Sequence, residues 1–588
     1  MRTSSRGMSR SRGAPQLAAD TCARRLRPLS GLHDHPSVTW FGPAAFSATR
    51  PGSEAVVQAL CGLMEVHGRD RGTPRRLGLE VASVAAGLLA AQGRLASAIA
   101  GLRDRPVPPM ETSVLQAGLL LLSHYFVVAT GLGDAVPGPP LPAPGPPFLS
   151  ADGHWFEIET LDAEPWKAFW TGLGAGGADL GRAWTLFRWR YERAACSLPR
   201  ELHETTRRYS LAELSRAAGG ADVSLTPLRR YAEVLVEPGT EAAHPTIHSG
   251  GDTARPRDHP GDGHGDLPLA GIRVVEATSR IQGPFAGMLL RMLGADVMRI
   301  QPPEGDYGRA ALCLPRGKDA VRLDLSGPAG RADLVELVAG AAVFLHNWRP
   351  GKAAEWDLEF EDLAARRPGL VYANTSGWGD RTEARRLVGT DFLVQAYAGV
   401  GQGLHPEEEP AFPSRVILCD MLGGMVAAEG ILTGLYRREQ DGRGSEVRSS
   451  LLAGAMALQA HVLEDLAQGK ETGRRDGRPV WGILERPIAT ADGSVMVSVD
   501  DDESLERLCR LCGGDRTGAP RAVTERRVAD RLREGVASEW EETLLGTGIA
   551  AAVVSDDLAA IPADPRLSAL FEPVGEGGLA PRSPWSAP

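Results

Sequence analysis

At 588 residues the chain is long enough for two or three domains with substantial cores. Its 43% hydrophobic and 23% charged content is that of a soluble globular protein. A net charge of -10 argues against nucleic acid as the main partner, since phosphate binding wants a concentrated basic surface.

The Arg-rich start, Met1 to Arg27, lacks the apolar core and cleavage site of a secretory signal, and residues 1–35 are expected to be disordered. Residues 36–238 then read as a partial copy of the C-terminal half of the chain. Shifted by 337 positions, residues 39–118 fall without a gap on 376–455. Gly52, Val57, Gln58, Ala59 and Gly62 land on Gly389, Val394, Gln395, Ala396 and Gly399; Ser113, Leu115 and His124 land on Ser450, Leu452 and His461. Two acid positions behave differently: Asp391 faces Glu54, and Asp420 faces Ser83. So long a period is no solenoid repeat but two fused copies of one domain type.

The apolar run Val114 to Thr130 contains Gln116, Ser123 and His124, and its partner Leu451 to Ala467 carries Glu464 and Asp465. A core helix explains both, so no membrane span is expected. His124 and His461 sit on these apolar helices and read as packing residues. Residues 239–266, rich in Gly, Pro, His and Asp, read as a linker. Its interleaved His244, His248, His259 and His264 lie in a flexible tract that is not expected to form a metal site.

The second copy opens with alternating strand and helix signals: a strand at Ile272 to Val275, a turn at Gly283-Pro284, a helix over Phe285 to Leu293 and a strand over Asp296 to Ile300. Such a short βαβ unit demands a crossover to a parallel neighbour. Helical Ala329 to Ala339 and strands at Ala342 to His346 and Gly369 to Tyr372 extend it. The fold class is therefore α/β: a doubly wound, Rossmann-like large domain over 267–475 and a smaller α+β domain over 476–588, with the truncated copy fused N-terminally. A hairpin around Ala491-Asp492-Gly493 opens the small domain, and the same tripeptide at 151–153 marks its twin, now at an offset of 340. The seven cysteines are scattered and odd in number, which suits a cytoplasmic, reducing setting. Cys509 and Cys512 form a lone C-x-x-C on an apolar helix face, with no second pair to suggest metal or redox use.

The second copy also carries Gly283-Pro284-Phe285-Ala286, Leu293-Gly294-Ala295-Asp296-Val297, Arg316-Gly317-Lys318, Asn347-Trp348-Arg349-Pro350-Gly351, Ser376-Gly377-Trp378-Gly379, Gly389-Thr390-Asp391 and Gly442-Arg443-Gly444 with Ser450-Leu451-Leu452. In that order these landmarks resemble the family III CoA-transferases, a superfamily that includes the α-methylacyl-CoA racemases. The resemblance implies a nucleophilic Asp at a helix start about 29 residues after the Gly-x-Asp landmark; counting from Asp391 gives Asp420. The residues agree, for Val416-Ile417-Leu418-Cys419-Asp420 sets one carboxylate in an apolar stretch where burial raises its pKa, although a helix N-cap is the bland alternative. The resemblance further implies CoA or substrate contacts at Gln282, Gly283, Arg299, Arg349, Lys352 and Asp391. It implies no tightly bound cofactor and no metal. An acyl-CoA and a carboxylic acid are the expected substrates, and a homodimer or an intrachain pseudo-dimer the expected assembly. Glycine backbone at Gly283 or Gly423-Gly424 offers oxyanion donors or, equally, tight helix packing.

Three departures accompany the match: a short stretch from Pro303 to Arg316, Glu355 where the family has an arginine, and an end at Pro588 without the family's closing helix. Racemases place a histidine before the acid aligned with Asp391; here Thr390 stands there. The first expectation is a CoA-transferase, the second a non-catalytic acyl-CoA-binding or partner-binding homologue, and the third a racemase. With Ser83 at the reactive position, the first copy is expected to be silent and to serve as a built-in partial partner.

Overall fold

The computed structural model describes residues 15–586 except 30–31, 33–37, 43–45, 47–48, 132–143, 177–178, 236–242, 254–265, 304–313, 381–386, 471–472, 500, 515–519 and 576. His259, His264 and most of the short 303–316 stretch lie outside the described residues. The large sheet has seven strands in the order Thr246–Thr253, Arg443–Ser450, Val371–Ser376, Val343–His346, Arg273–Ala277, Asp296–Gln301, Asp319–Arg322. All pairs are parallel but the first, where Thr246–Thr253 runs antiparallel to Arg443–Ser450. The helices Gln282–Met292 and Pro328–Ala339 make the crossovers that short parallel connections require.

The expected linker is thus corrected in part. Residues 246–253 form an edge strand because sheet pairing uses backbone N–H and C=O groups, which a Ser/Gly/His-rich segment supplies as well as an apolar one. The start also departs from expected disorder. Gln16–Leu26 is a helix whose Ala18, Cys22 and Leu26, four residues apart, bury one stripe, while Arg25 reaches a buried Glu429 at 2.6 Å. The run 114–130 is two helices, Val114–Leu121 and Ser123–Gly131, bent by 60°.

The first copy repeats the second in its hydrogen bonds. Val38 and Thr39 pair in parallel with Thr112 and Ser113, as Thr375 and Ser376 pair with Ser449 and Ser450. Ser113 caps Gln116 N–H as Ser450 caps Ala453 N–H. The long helices Val81–Leu102 and Leu418–Asp441, here the Ser83 helix and the Asp420 helix, pack on each other at the centre; Gln92 donates to the Met425 carbonyl at 2.9 Å. By length and composition each is apolar enough to cross a bilayer. Burial between the copies explains that composition.

The small domains are exchanged. The first copy's three-stranded sheet, Phe148–Leu149, Trp155–Glu159 and Ser224–Pro227, packs on the second copy's helix Asp391–Tyr397. The second copy's sheet, Ile488–Ala489, Ser494–Ser498 and Ala550–Val553, packs on the first copy's helix Glu54–Leu60. Both small sheets begin with the expected hairpin. The C-terminal hairpin Phe571–Val574 and Gly578–Pro581 lies on Ser123–Gly131, and Trp585 Nε1 donates to the Leu89 carbonyl on the Ser83 helix.

Candidate active site

Asp420 stands in the first turn of Leu418–Asp441, partly exposed at the end of an otherwise buried stretch. No side chain of the preceding residue caps this helix. Its free N–H groups go instead to a distant acid: Asp391 Oδ2 accepts from Asp420 N at 2.7 Å, and the same carboxylate accepts from Cys419 N. Gln395, one turn on from Asp391, donates to Asp391 Oδ1 at 2.5 Å. It also donates to the carbonyls of Ser414 and Val416, both at 3.1 Å, and accepts from Ser414 N at 2.9 Å. One glutamine therefore ties the Asp391 helix to the segment that leads into the Asp420 helix.

Two carboxyl groups share this apolar corner. Burial pushes Asp391 up to about 7 against the pull of its hydrogen bonds. Burial, then the charge of Asp391, drives Asp420 well above the ordinary carboxylate range; Arg280 opposes this and Glu159 adds to it. Arg280 is exposed and holds a left-handed backbone conformation, φ 66°, uncommon for a residue with a side chain. Glu159 belongs to the first copy's small domain, where Arg190 pairs with it at 2.8 Å and Tyr191 donates to it. Tyr191 stacks on Phe392 at 4.8 Å, and the buried Arg415 pairs with Glu157 of the same strand. The site is thus built from both copies.

The expected contact residues divide. Gln282 lies one turn below Asp420: a Cβ on Gly423 would stand 3.0 Å from its Nε2, a buried amide nitrogen with no partner among the described residues. Arg349 is exposed at a strand end. Lys352 pairs with Glu355 at 2.8 Å and lies over Trp356. Three expectations are corrected. Asp391 is fully buried and spends its carboxylate on the N–H groups that start the Asp420 helix, which leaves no exposed oxygen to offer a ligand. Arg299 is 2% exposed, with Nε 3.8 Å from the buried Glu276, which also holds Lys318 at 2.7 Å; a phosphate contact requires an accessible head. Gly283 faces Thr278, which an added Cβ would approach to 2.6 Å. Gly424 lets Phe285 come close, 2.8 Å from an added Cβ, so Gly424 serves helix packing and Gly283 the tight turn before its helix.

Four site residues were absent from the sequence expectations: Arg280, Glu159, Arg190 and Tyr191. Glu159 carried a signal. At the offset of 340 it faces Val499, an acid in the copy that lacks the reactive aspartate. Arg280 carried none, because its interest lies in backbone conformation. His461, expected as packing, bonds Glu80 at 2.9 Å, and Arg474 stands 3.4 Å from the same carboxylate.

A family model described as CoA-transferase family III matches residues 35–253 and again 269–570, in keeping with the duplication. The alpha subunit of succinyl-CoA–L-malate CoA-transferase from Chloroflexus aurantiacus is 28% identical over 313 residues, covering 49% of this chain and 72% of that protein. Acetyl-CoA:oxalate CoA-transferase from Acetobacter aceti is 29% identical over 277 residues, covering 45% and 70%. A CAIB/BAIF family protein of solved structure from Brucella suis is 22% identical with a TM-score of 0.47, over 54% of this chain and 96% of that one.

Proposed function

The chain belongs to CoA-transferase family III, and on that premise we propose that it moves CoA between carboxylic acids with Asp420 as nucleophile and its own first copy in the partner's role. The observation that carries this reading is the clamp of Asp391 on the N–H of Asp420, with both carboxyl groups raised by burial. A carboxylate with a raised pKa is the more basic nucleophile once ionised.

One Asp420 oxygen attacks the thioester carbonyl of the donor. The C–S bond breaks, CoA leaves as thiolate, and a mixed anhydride remains. The thiolate then attacks the aspartyl carbonyl, releasing the donor acid as carboxylate and leaving an aspartyl-CoA thioester. An acceptor carboxylate attacks that thioester, and the returning thiolate takes the new acyl group and frees Asp420. No proton or electron is consumed. Arg280 lies beside Asp420 with no ion pair among the described residues, and is suited to hold the incoming carboxylate. The unpartnered Gln282 amide is suited to bond the carbonyl oxygen as charge develops, as the donors of an oxyanion hole do.

The donors named for the relatives, succinyl-CoA and acetyl-CoA, are the first to test. Incubation with each, then hydroxylamine, is expected to convert the peptide containing Asp420 to a hydroxamate, read by mass. No adduct with any donor, and equal turnover in Asp420→Ala, would remove the reading. The free thiols at Cys22, Cys61, Cys196, Cys419, Cys509 and Cys512 suit a cytoplasmic site of action.

A further inference from the structure

A cavity of about 440 Å³ lies between the copies, and Asp420 is not among its lining residues. Its walls come from 67–75 of the first copy, from that copy's small domain, and from 405–415, the segment that leads into the Asp420 helix. Cations outnumber acids. Of the acids, Glu409 is held by Arg75 and Arg486, and Asp70 accepts from Cys196 N and stands 3.8 Å from Arg415. Arg71, Arg200 and Arg207 have no ion-pair partner among the described residues, and Glu204 is the remaining lining acid.

The deep wall holds polar atoms that no protein group satisfies among the described residues. Arg415, 3% exposed, leaves Nη1 without a partner among the described residues, and His67, 7% exposed, leaves Nε2 so. His67 is tied to the Asp420 side of the wall through Ser414. Ser414 Oγ accepts from Val416 N at 3.1 Å and shares a hydrogen bond of 2.9 Å with His67 Nδ1. Opposite, Trp155 packs on Phe412 with ring centres 4.6 Å apart. Five lining arginines against three lining acids, buried polar atoms left without partners and one apolar wall describe a receptor for a compact organic dianion.

The cavity has a counterpart of about 490 Å³, lined by 72–76, Glu409 and the second copy's small domain, but differs from it in its deep wall. At the offset of 337 Arg415 corresponds to Gly78, whose added Cβ would stand 2.5 Å from the Gly403 carbonyl oxygen. Its wall also reaches the reactive residue in three steps, from Ser414 to Gln395, from Gln395 to Asp391, and from Asp391 to Asp420 N.

We propose that this cavity is a second ligand site, taking a small dicarboxylate or phosphate monoester, and that its occupancy is read at Asp420 through Ser414 and Arg415. The coupling half rests on the transferase reading; the binding half does not. Calorimetry on the full-length Asp420→Ala chain with malonate and with glycerol 3-phosphate tests binding without turnover, and the tighter of the two identifies the source of the dianion. The double variant Arg200→Gln/Arg207→Gln is expected to bind at least about tenfold more weakly, since two charge-assisted contacts are lost. In the native enzyme the same ligand is expected to change kcat, and in the double variant to leave it unchanged. Binding of neither probe, or equal binding to the double variant, would overturn the site. Binding that leaves the native kcat untouched, with transfer intact, would overturn the coupling alone; absence of any transfer would instead refute the nucleophile.

Discussion

The two copies hold the same clamp on different chemistry. In the second, Gln395 donates to Asp391, and Asp391 accepts the N–H groups of Cys419 and Asp420. In the first, Gln58 donates to Glu54 at 3.0 Å, and Glu54 accepts from Ala82 N at 2.9 Å and Ser83 N at 2.8 Å. Even the outer bonds match: Gln58 reaches the carbonyls of Leu77 and Leu79, as Gln395 reaches those of Ser414 and Val416. The difference lies at one side chain. Ser83, 2% exposed, turns its hydroxyl back on Glu54 at 2.6 Å, whereas Asp420 adds a second acid that its neighbour cannot satisfy. The clamp is therefore a device for starting a helix, present with or without a second acid beside it. On the transferase reading proposed above, that second acid is what sets the two copies apart.

The widest separation of the copies is expected from the pair Asp420→Ala and Ser83→Ala. The first should abolish the trapped adduct and cut turnover by at least about 10³-fold, while the second leaves both unchanged, read by mass and by steady-state assay. Next in size, Glu54→Ala strips partners from two backbone N–H groups, the Ser83 hydroxyl and the Gln58 amide, all buried. A loss of about 2–3 kcal/mol is expected in a denaturant titration, with turnover per folded chain unaltered.

Asp391→Asn sharpens the comparison from the other side, because it keeps an acceptor and removes the like charge. The nucleophile must be ionised, so transfer rises with pH through its elevated pKa. With Asn the limb should move down, while burial keeps it above the range of a free carboxylate. A pH–rate profile of kcat reads this, and a limb that stays in place would remove the coupling between the two acids. The smallest effect is expected at Lys352. Its charge is already met by Glu355 on an exposed surface, so Lys352→Ala should raise KM for the acyl-CoA by less than about threefold.

Much of this was legible in the chain. The offset of 337 paired Asp391 with Glu54 and Asp420 with Ser83, and the alternation after Ile272 gave the parallel sheet. The role of Asp391 was not legible, because nothing in a sequence says that an acid 29 residues away closes a helix start. The exchange of small domains was equally hidden. It depends on which copy each small sheet packs against, and the local patterns are the same either way. The helix Gln16–Leu26 was overlooked for a compositional reason, since its arginines outweighed the four-residue spacing of Ala18, Cys22 and Leu26. Thr246–Thr253 had no apolar period to read because it joins the sheet by main chain.

The exchange of small domains has a consequence for how the molecule behaves at low abundance. A site shared by two separate polypeptides falls apart on dilution, and its activity then tracks the association constant. Here the contributors of Glu159 and Asp420 are joined by one covalent chain, so the local concentration of one about the other is set by tether length and not by expression level. On the transferase reading, a site held in this way is expected to keep its rate per molecule on dilution.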